Sequence, residues 1–332
     1  MDGSHFLTMP VRRRFRNGFQ CMNSGIRPFS KLVFLLGAGL CLLITGVGKA
    51  EEPILEFVEG LRERQYFDTA LESLEAAQQR SDLPAEIRDV IDLERAKTLQ
   101  KMGATSRIPA DREMYLQQAK ETLQKFTNAH TSHPQAAFAN SMLGELLLER
   151  ARTLIWQMDG AESPEKRTEY QLAARKLIDE GEVIYQTAFD QYKAALDLFP
   201  KSFIDQTKDE EKYNARRDAD FKYQRAWFNL IQCTYERGLT FGRITEERRS
   251  TLTNAASLFE DLHSHYRKEP VGLHARLMMG KCFQEQDDLS RALGFYNEML
   301  GHTSENASVQ MLKNIARHYR LICLNDPQRN DH

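Results

Sequence analysis

His130 and His133 form the first pair whose spacing could do chemistry, since two imidazoles three residues apart can share one side of a metal ion. A zinc site needs three or four ligands, no third ligand is spaced nearby, and Pro134 in TNAHTSHP marks the segment as a turn. His263 and His265 point to different faces of a helix. Five cysteines stand at 21, 41, 233, 282 and 323 without a C-x2-C pair. Two of these lie in the N-terminal leader, and the odd number left over argues against a disulfide framework. The chain has no G-x4-GK[ST] phosphate loop, no G-x-G-x2-G after a strand, no H-E-x2-H and no G-x-S-x-G. Asn306-Ala307-Ser308 fits the glycosylation acceptor pattern, a triplet common by chance. No enzyme, cofactor or metal is expected from these residues. The alternative is a catalytic site hidden in segments 101–115 or 157–168, whose charges are more simply surface charges.

The elements around these residues belong to a folded body, since the 332 residues are 41% hydrophobic and 28% charged. Residues 1–50 carry seven Lys/Arg against one acidic residue, leaving 38 basic and 46 acidic residues in 51–332. A mildly acidic body argues against a general nucleic-acid surface, which must neutralise phosphates. Leu32 to Gly48 is an uncharged apolar run of seventeen residues behind a basic flank, followed by the small-x-small site Gly48-Lys49-Ala50. That order describes a secretory signal peptide cut after Ala50, and a start at Met22 would give it the usual length. The alternative is an uncleaved anchor, with membrane contact only through 32–48. In both cases the basic flank sends the body across the membrane, so the body is expected to be periplasmic, otherwise extracytoplasmic or secreted. Cys41 follows Leu40 where a lipoprotein would need a small residue, and Arg12-Arg13-Arg14-Phe15 lies too far upstream to weigh as a twin-arginine signal.

After Ala50 the apolar period is helical throughout, and no run alternates long enough to read as a strand. Ile54, Phe57, Val58 and Leu61 mark a first helix; Ala70, Leu74 and Ala77 mark a second, after a turn at Gln65–Asp68. A second pair uses Ala96, Leu99 and Gly103, then Ala119, Leu123 and Phe126, with a long connection ATSRIPADREMY between. A third uses Leu143, Gly144 and Leu147, then a long helix from about Thr168 to Phe199, roughly 45–50 Å at the α-helical rise. A charged link, KSFIDQTKDEEKYNARRDAD, precedes a fourth pair with Trp227, Leu230 and Ala255, Phe259, Leu262, in which Gly238 marks the turn. The fifth is HARLMMGKCFQEQDDLSRALGFYNEML, with Gly280, Phe283, Ala292 and Tyr296 at offsets 0, 3, 12 and 16. A helix from about Ser308 to Leu324 would cover the end, and 325–332 is a polar tail.

The fifth stretch resembles the tetratricopeptide (TPR) repeat, with its pattern W-x2-L-G-x2-Y, then A-x3-F and a late Pro. The other pairs look like altered copies: the second-helix alanines at 70, 119, 188, 255 and 292 are 49, 69, 67 and 37 residues apart, against about 34 in the family. The resemblance covers about 53–301 and implies an all-α solenoid of about five TPR-like helix pairs plus a C-terminal capping helix, occupying 51–324. It implies close crossings at Gly280 with Ala292 and at Gly144 with Ala188. It also implies a concave face lined by the first helix of each pair.

By the family pattern the inward positions are Phe138, Ser141, Glu145, Leu148 and Glu149 in the third unit. In the fourth they are Arg225, Phe228, Gln232, Tyr235 and Glu236, and in the fifth His274, Leu277, Lys281, Gln284 and Glu285. Such a groove suits an extended peptide or a laid-in helix. The inward position that some TPR proteins fill with Asn to grip a C-terminal carboxylate holds Glu59, Glu145, Gln232 and Lys281 here, which argues against tail capture. Cys233 and Cys282 take the same place on successive first helices. Packed helices lie about 8–10 Å apart, too far for a disulfide, so two buried free thiols are expected. The expected function is an exported, non-enzymatic scaffold for protein or peptide partners; the alternative is a membrane-anchored assembly subunit of an envelope complex.

Overall fold

The computed structural model describes residues 53–326, and they are all-helical. The helices are α1 (Ile54–Glu63), α2 (Phe67–Gln78), the single turn α3 (Ala85–Arg88), α4 (Ile91–Thr105), α5 (Pro109–Ala129) and α6 (Ala136–Asp159). They continue as α7 (Pro164–Asp197), α8 (Glu210–Leu239), α9 (Glu246–His265), α10 (Pro270–Gln284), α11 (Leu289–Gly301) and α12 (Ala307–Leu324). Each long helix packs on its neighbours in sequence, and α10 also touches α8 and α12, as α6 touches α8 and α4 touches α1. Among the described residues no helix is long and apolar enough to cross a membrane. The leader, the apolar run 32–48 and the cut after Ala50 lie outside the described residues, as does most of the polar tail.

Burial follows the stacking. One apolar cluster joins α4, α5 and α6 around Leu123, Phe126 and Leu143. Another joins α6 and α7 to Cys233 of α8; a third joins α8, α9 and α10; a fourth joins α10, α11 and α12. No helix pair buries its apolar surface by itself, so each pair depends on the next.

Glycines set how the pairs meet. A methyl group at Gly103, Gly144, Gly238 or Gly280 would stand within 2.9 Å of Leu116, Tyr185, Leu252 or Tyr296 respectively. A bulky side chain of the following helix therefore lies directly on each glycine. Gly144 is closed by Tyr185 rather than Ala188, and Gly280 by Phe295 and Tyr296 rather than Ala292. Gly238 is not in the turn; it is helical and is the close crossing of the fourth pair.

The expected connections shrink, because prolines inside them begin helices. Pro109 and Pro164 sit in the first turns of α5 and α7, where the missing N–H costs nothing. The segment 104–115 thus contains only a turn at 106–108, and 157–168 only a turn at 160–163. The charged link is 198–209, since α8 already begins at Glu210. Ser163 caps α7 by accepting from the Lys166 N–H at 3.2 Å. The 34 residues of α7 span about 51 Å. Its buried stripe ends at Ala188; beyond it Tyr192 is half-buried and Ala195 exposed. Phe57 also faces out of α1, exposed over 54% of its surface, while Val58 and Leu61 point in.

Candidate functional site

The histidines found first serve packing. His130 and His133 lie 5.0 and 5.6 Å from the Phe126 ring and close the turn before α6. His263 Nδ1 lies 3.0 Å from the Gly272 carbonyl, and His265 packs 5.2 Å from Trp227. Among the described residues no group of three or more His, Cys, Asp or Glu could hold a metal ion. Asn306 caps α12, its side chain accepting from the Ser308 N–H at 2.8 Å. Cys233 and Cys282 are buried free thiols, and Cys323 is buried as well; burial pushes the Cys233 thiol up to about 12.

The inward positions named from the repeat fall into two groups. Leu148, Phe228, Leu277, Tyr235 and Glu236 are buried, so a partner cannot touch them without rearrangement. Leu148 packs among Ile178, Tyr185 and Cys233, where α6, α7 and α8 meet. Desolvation, then the charges of Glu285 and Glu236, raise the Tyr235 phenol well above its ordinary value, so it stays neutral. Phe138, Glu149 and Arg225 are exposed; Ser141, Glu145, Gln232, His274, Lys281, Gln284 and Glu285 are half-buried.

Side chains from these positions tie successive helices together. Arg152 of α6 donates to Glu236 Oε1 of α8 at 2.6 Å and to Gln232 Oε1 at 3.3 Å. Burial works against the Arg152 charge, but Glu236 more than offsets it and raises the guanidinium pKa. Arg225 of α8 stands 3.8 Å from Glu145 of α6. The Phe228 ring of α8 stacks on His274 of α10 at 4.3 Å. Lys281 pairs with Glu285 at 2.6 Å and lies 5.0 Å above the Tyr319 ring of α12. Glu285 also pairs with Arg248 at 2.7 Å, and Gln284 Oε1 accepts from the Tyr296 hydroxyl at 2.7 Å.

Arg152 and Trp156 belong to the same exposed stripe of α6 as Phe138, Glu145 and Glu149, because steps of three, four and seven residues return to one helix face. A first helix of ordinary repeat length would have ended before them; α6 runs to Asp159. The continuing period 145, 149, 152, 156 was the available signal for both.

Desolvation at its stacked position lowers the His274 imidazole from 6.5 to about 4. Between those values the unfolded chain binds the proton and the folded chain does not, so this residue's contribution to stability falls as pH drops from about 6.5 toward 4. The difference in unfolding free energy between wild type and His274→Phe is expected to be constant above pH 7 and to move in favour of the variant across that window. Urea titrations at successive pH values measure it; a pH-independent difference would show that His274 titrates normally.

No protein-family model matches this chain, and no curated protein sequence matches it. Among solved structures, a computationally designed self-assembling cyclic homo-oligomer is 12% identical, with 82% of this chain and 97% of that chain covered and a TM-score of 0.29. The assembly chaperone of RpL4 (Acl4), residues 1–338, is 16% identical, with coverages of 81% and 95% and a TM-score of 0.28. Scores this low carry no argument about fold or function.

Proposed function

We propose that this chain is an exported, non-enzymatic scaffold of TPR type that binds a protein or peptide partner along the face carried by α6, α8, α10 and α12. The observation supporting it most directly is the second-neighbour packing of α6 with α8, α8 with α10 and α10 with α12. Helices that touch at every second position form one wall of a stacked array, and the half-buried polar and aromatic side chains between them form a continuous strip. Stacked pairs of this kind leave an extended surface suited to a peptide or a helix. Export rests on the basic flank and the apolar run from Leu32 to Gly48. Retention of that run as an anchor is the second reading, and resistance of the full chain to carbonate extraction distinguishes it.

Capture of partners by the full chain tests the binding face. Arg225→Glu and Glu145→Lys both alter exposed or half-exposed side chains and should leave the fold intact. Glu145→Lys is expected to reduce recovery of the captured protein and Arg225→Glu to change it, with the melting temperature unchanged in both. Unaltered capture by both variants would move the site off this face.

A further inference from the structure

Most of the strip is already satisfied internally: Arg152 is committed to Glu236, and Lys281 and Arg248 to Glu285. The part left open is on α6. Trp156 is exposed over 77% of its surface and Phe138 over 40%. Between them stand Glu145 and Glu149, so the stripe runs from aromatic to Glu to Glu to aromatic in steps of seven, four and seven residues. Eighteen helical steps place the two rings about 27 Å apart along the helix. Exposed aromatics facing a partner are the commonest energetic anchors of an interface.

The charge of this stripe is under-compensated. Glu145 has Arg225 only at 3.8 Å, beyond hydrogen-bonding distance. Among the described residues Glu149 forms no ion pair; partial desolvation and the neighbouring Glu145 raise its carboxyl pKa, with Arg112 and Arg152 only partly opposing. A cation arriving here would relieve repulsion between the two carboxylates, so charge complementarity selects a basic group at the centre.

Resting on the proposed binding function, we infer that the α6 stripe is the docking site for an amphipathic helical segment of a partner protein, with a basic centre between two apolar anchors. The anchors cover Phe138 and Trp156, and the basic centre lies over Glu145 and Glu149. The intervals read the same in both directions, so a helix of matching period fits in either orientation.

The test is fluorescence anisotropy of a labelled helical peptide, Leu-x6-Lys-x3-Lys-x6-Leu, titrated with the full chain, beside the same peptide carrying Glu for both Lys. The Lys peptide is expected to bind at least about tenfold more tightly than the Glu peptide. Trp156→Ala and Glu149→Lys are each expected to weaken it by about tenfold or more, a typical cost for losing an anchor. Binding should also shift the emission of Trp156. No binding of the Lys peptide, equal affinity for the two peptides, or binding indifferent to both variants would overturn the inference. If Arg225→Glu and Glu145→Lys alter partner capture while Trp156→Ala and Glu149→Lys do not, this docking site falls and the scaffold reading stands. If none of the four variants affects capture, both fall.

Discussion

Replacing Gly272 by alanine is expected to destabilise the chain more than adding a methyl group at any other glycine among the described residues. The new Cβ would stand 1.9 Å from the Tyr266 carbonyl oxygen and 2.5 Å from its carbon. At Gly144 or Gly280 the opposing atoms belong mainly to rings that can tilt away; at Gly272 they are backbone. The Tyr266 carbonyl is held in place by the Glu269 N–H at 3.0 Å, so it cannot swing aside without losing that bond. The end of α9 and the start of α10 would have to separate, disturbing the core they share with α8. Overpacking typically costs about 1–3 kcal/mol, and a backbone clash belongs at or above the upper end. In a chain of this size that lowers the melting temperature by roughly 6–12 °C. Gly294→Ala supplies the contrast, since its Cβ would meet nothing within 4 Å and alanine gains about 0.5–1 kcal/mol in a helix. Calorimetry on the two variants decides it: similar melting temperatures would mean that the α9–α10 turn is looser than described.

Arg62→Met is expected to have an effect of similar size for a different reason. Arg62 and Glu94 face each other with side chains only 2% and 7% exposed. Arg62 reaches the Glu94 carboxylate at 2.6 Å, donates to the Glu94 backbone carbonyl at 3.0 Å, and also pairs with Glu59. The ion pair and the carbonyl hydrogen bond to Glu94 fasten α1 to α4, while the Glu59 pair lies within α1, and all stand beside a small apolar cluster around Leu74 and Ile91. Removing the cation leaves a nearly buried carboxylate with only Lys97, at 2.6 Å, to offset it. Breaking a buried pair in this way costs about 3–5 kcal/mol, whereas replacing both partners by apolar residues is often neutral. Urea denaturation should therefore show a large loss for Arg62→Met and recovery of most of it in Arg62→Met/Glu94→Leu. A double variant as unstable as the single one would locate the cost in lost packing rather than in the stranded charge.

The helix pairs were legible because their buried faces repeat at helical intervals. Val58, Leu61, Ala70 and Leu74 are all buried, as are Ala255, Phe259 and Leu262. The fifth pair is bounded by α10 and α11 close to where its spacing placed it, with Asp287 in the left-handed region at φ 61° in its turn, matching Gln65 at φ 65° in the first. Boundaries in the middle of the chain were not legible. A proline ends one helix and begins another with the same residue, and the charged run at 210–220 is solvated helix rather than link.

Of the candidate site, the exposed positions Phe138, Glu149 and Arg225 were named from the family pattern, which stops short of Arg152 and Trp156; only the continuing helical period points to those two, because α6 runs beyond the length of an ordinary first helix. The buried state of Leu148, Phe228, Leu277, Tyr235 and Glu236 was out of reach. Helical periodicity assigns a residue to a face, but a face is covered or open according to how close the next helix stands. That distance depends on contacts far apart in the chain, such as Gly144 under Tyr185 and Arg152 on Glu236. The sequence by itself determined the all-helical class, the pairing of neighbours and the lack of a recognisable catalytic motif, since each follows from local composition and spacing. Only the tertiary structure decided which side chains of the strip remain open to a partner, because burial depends on packing between segments that local spacing does not encode.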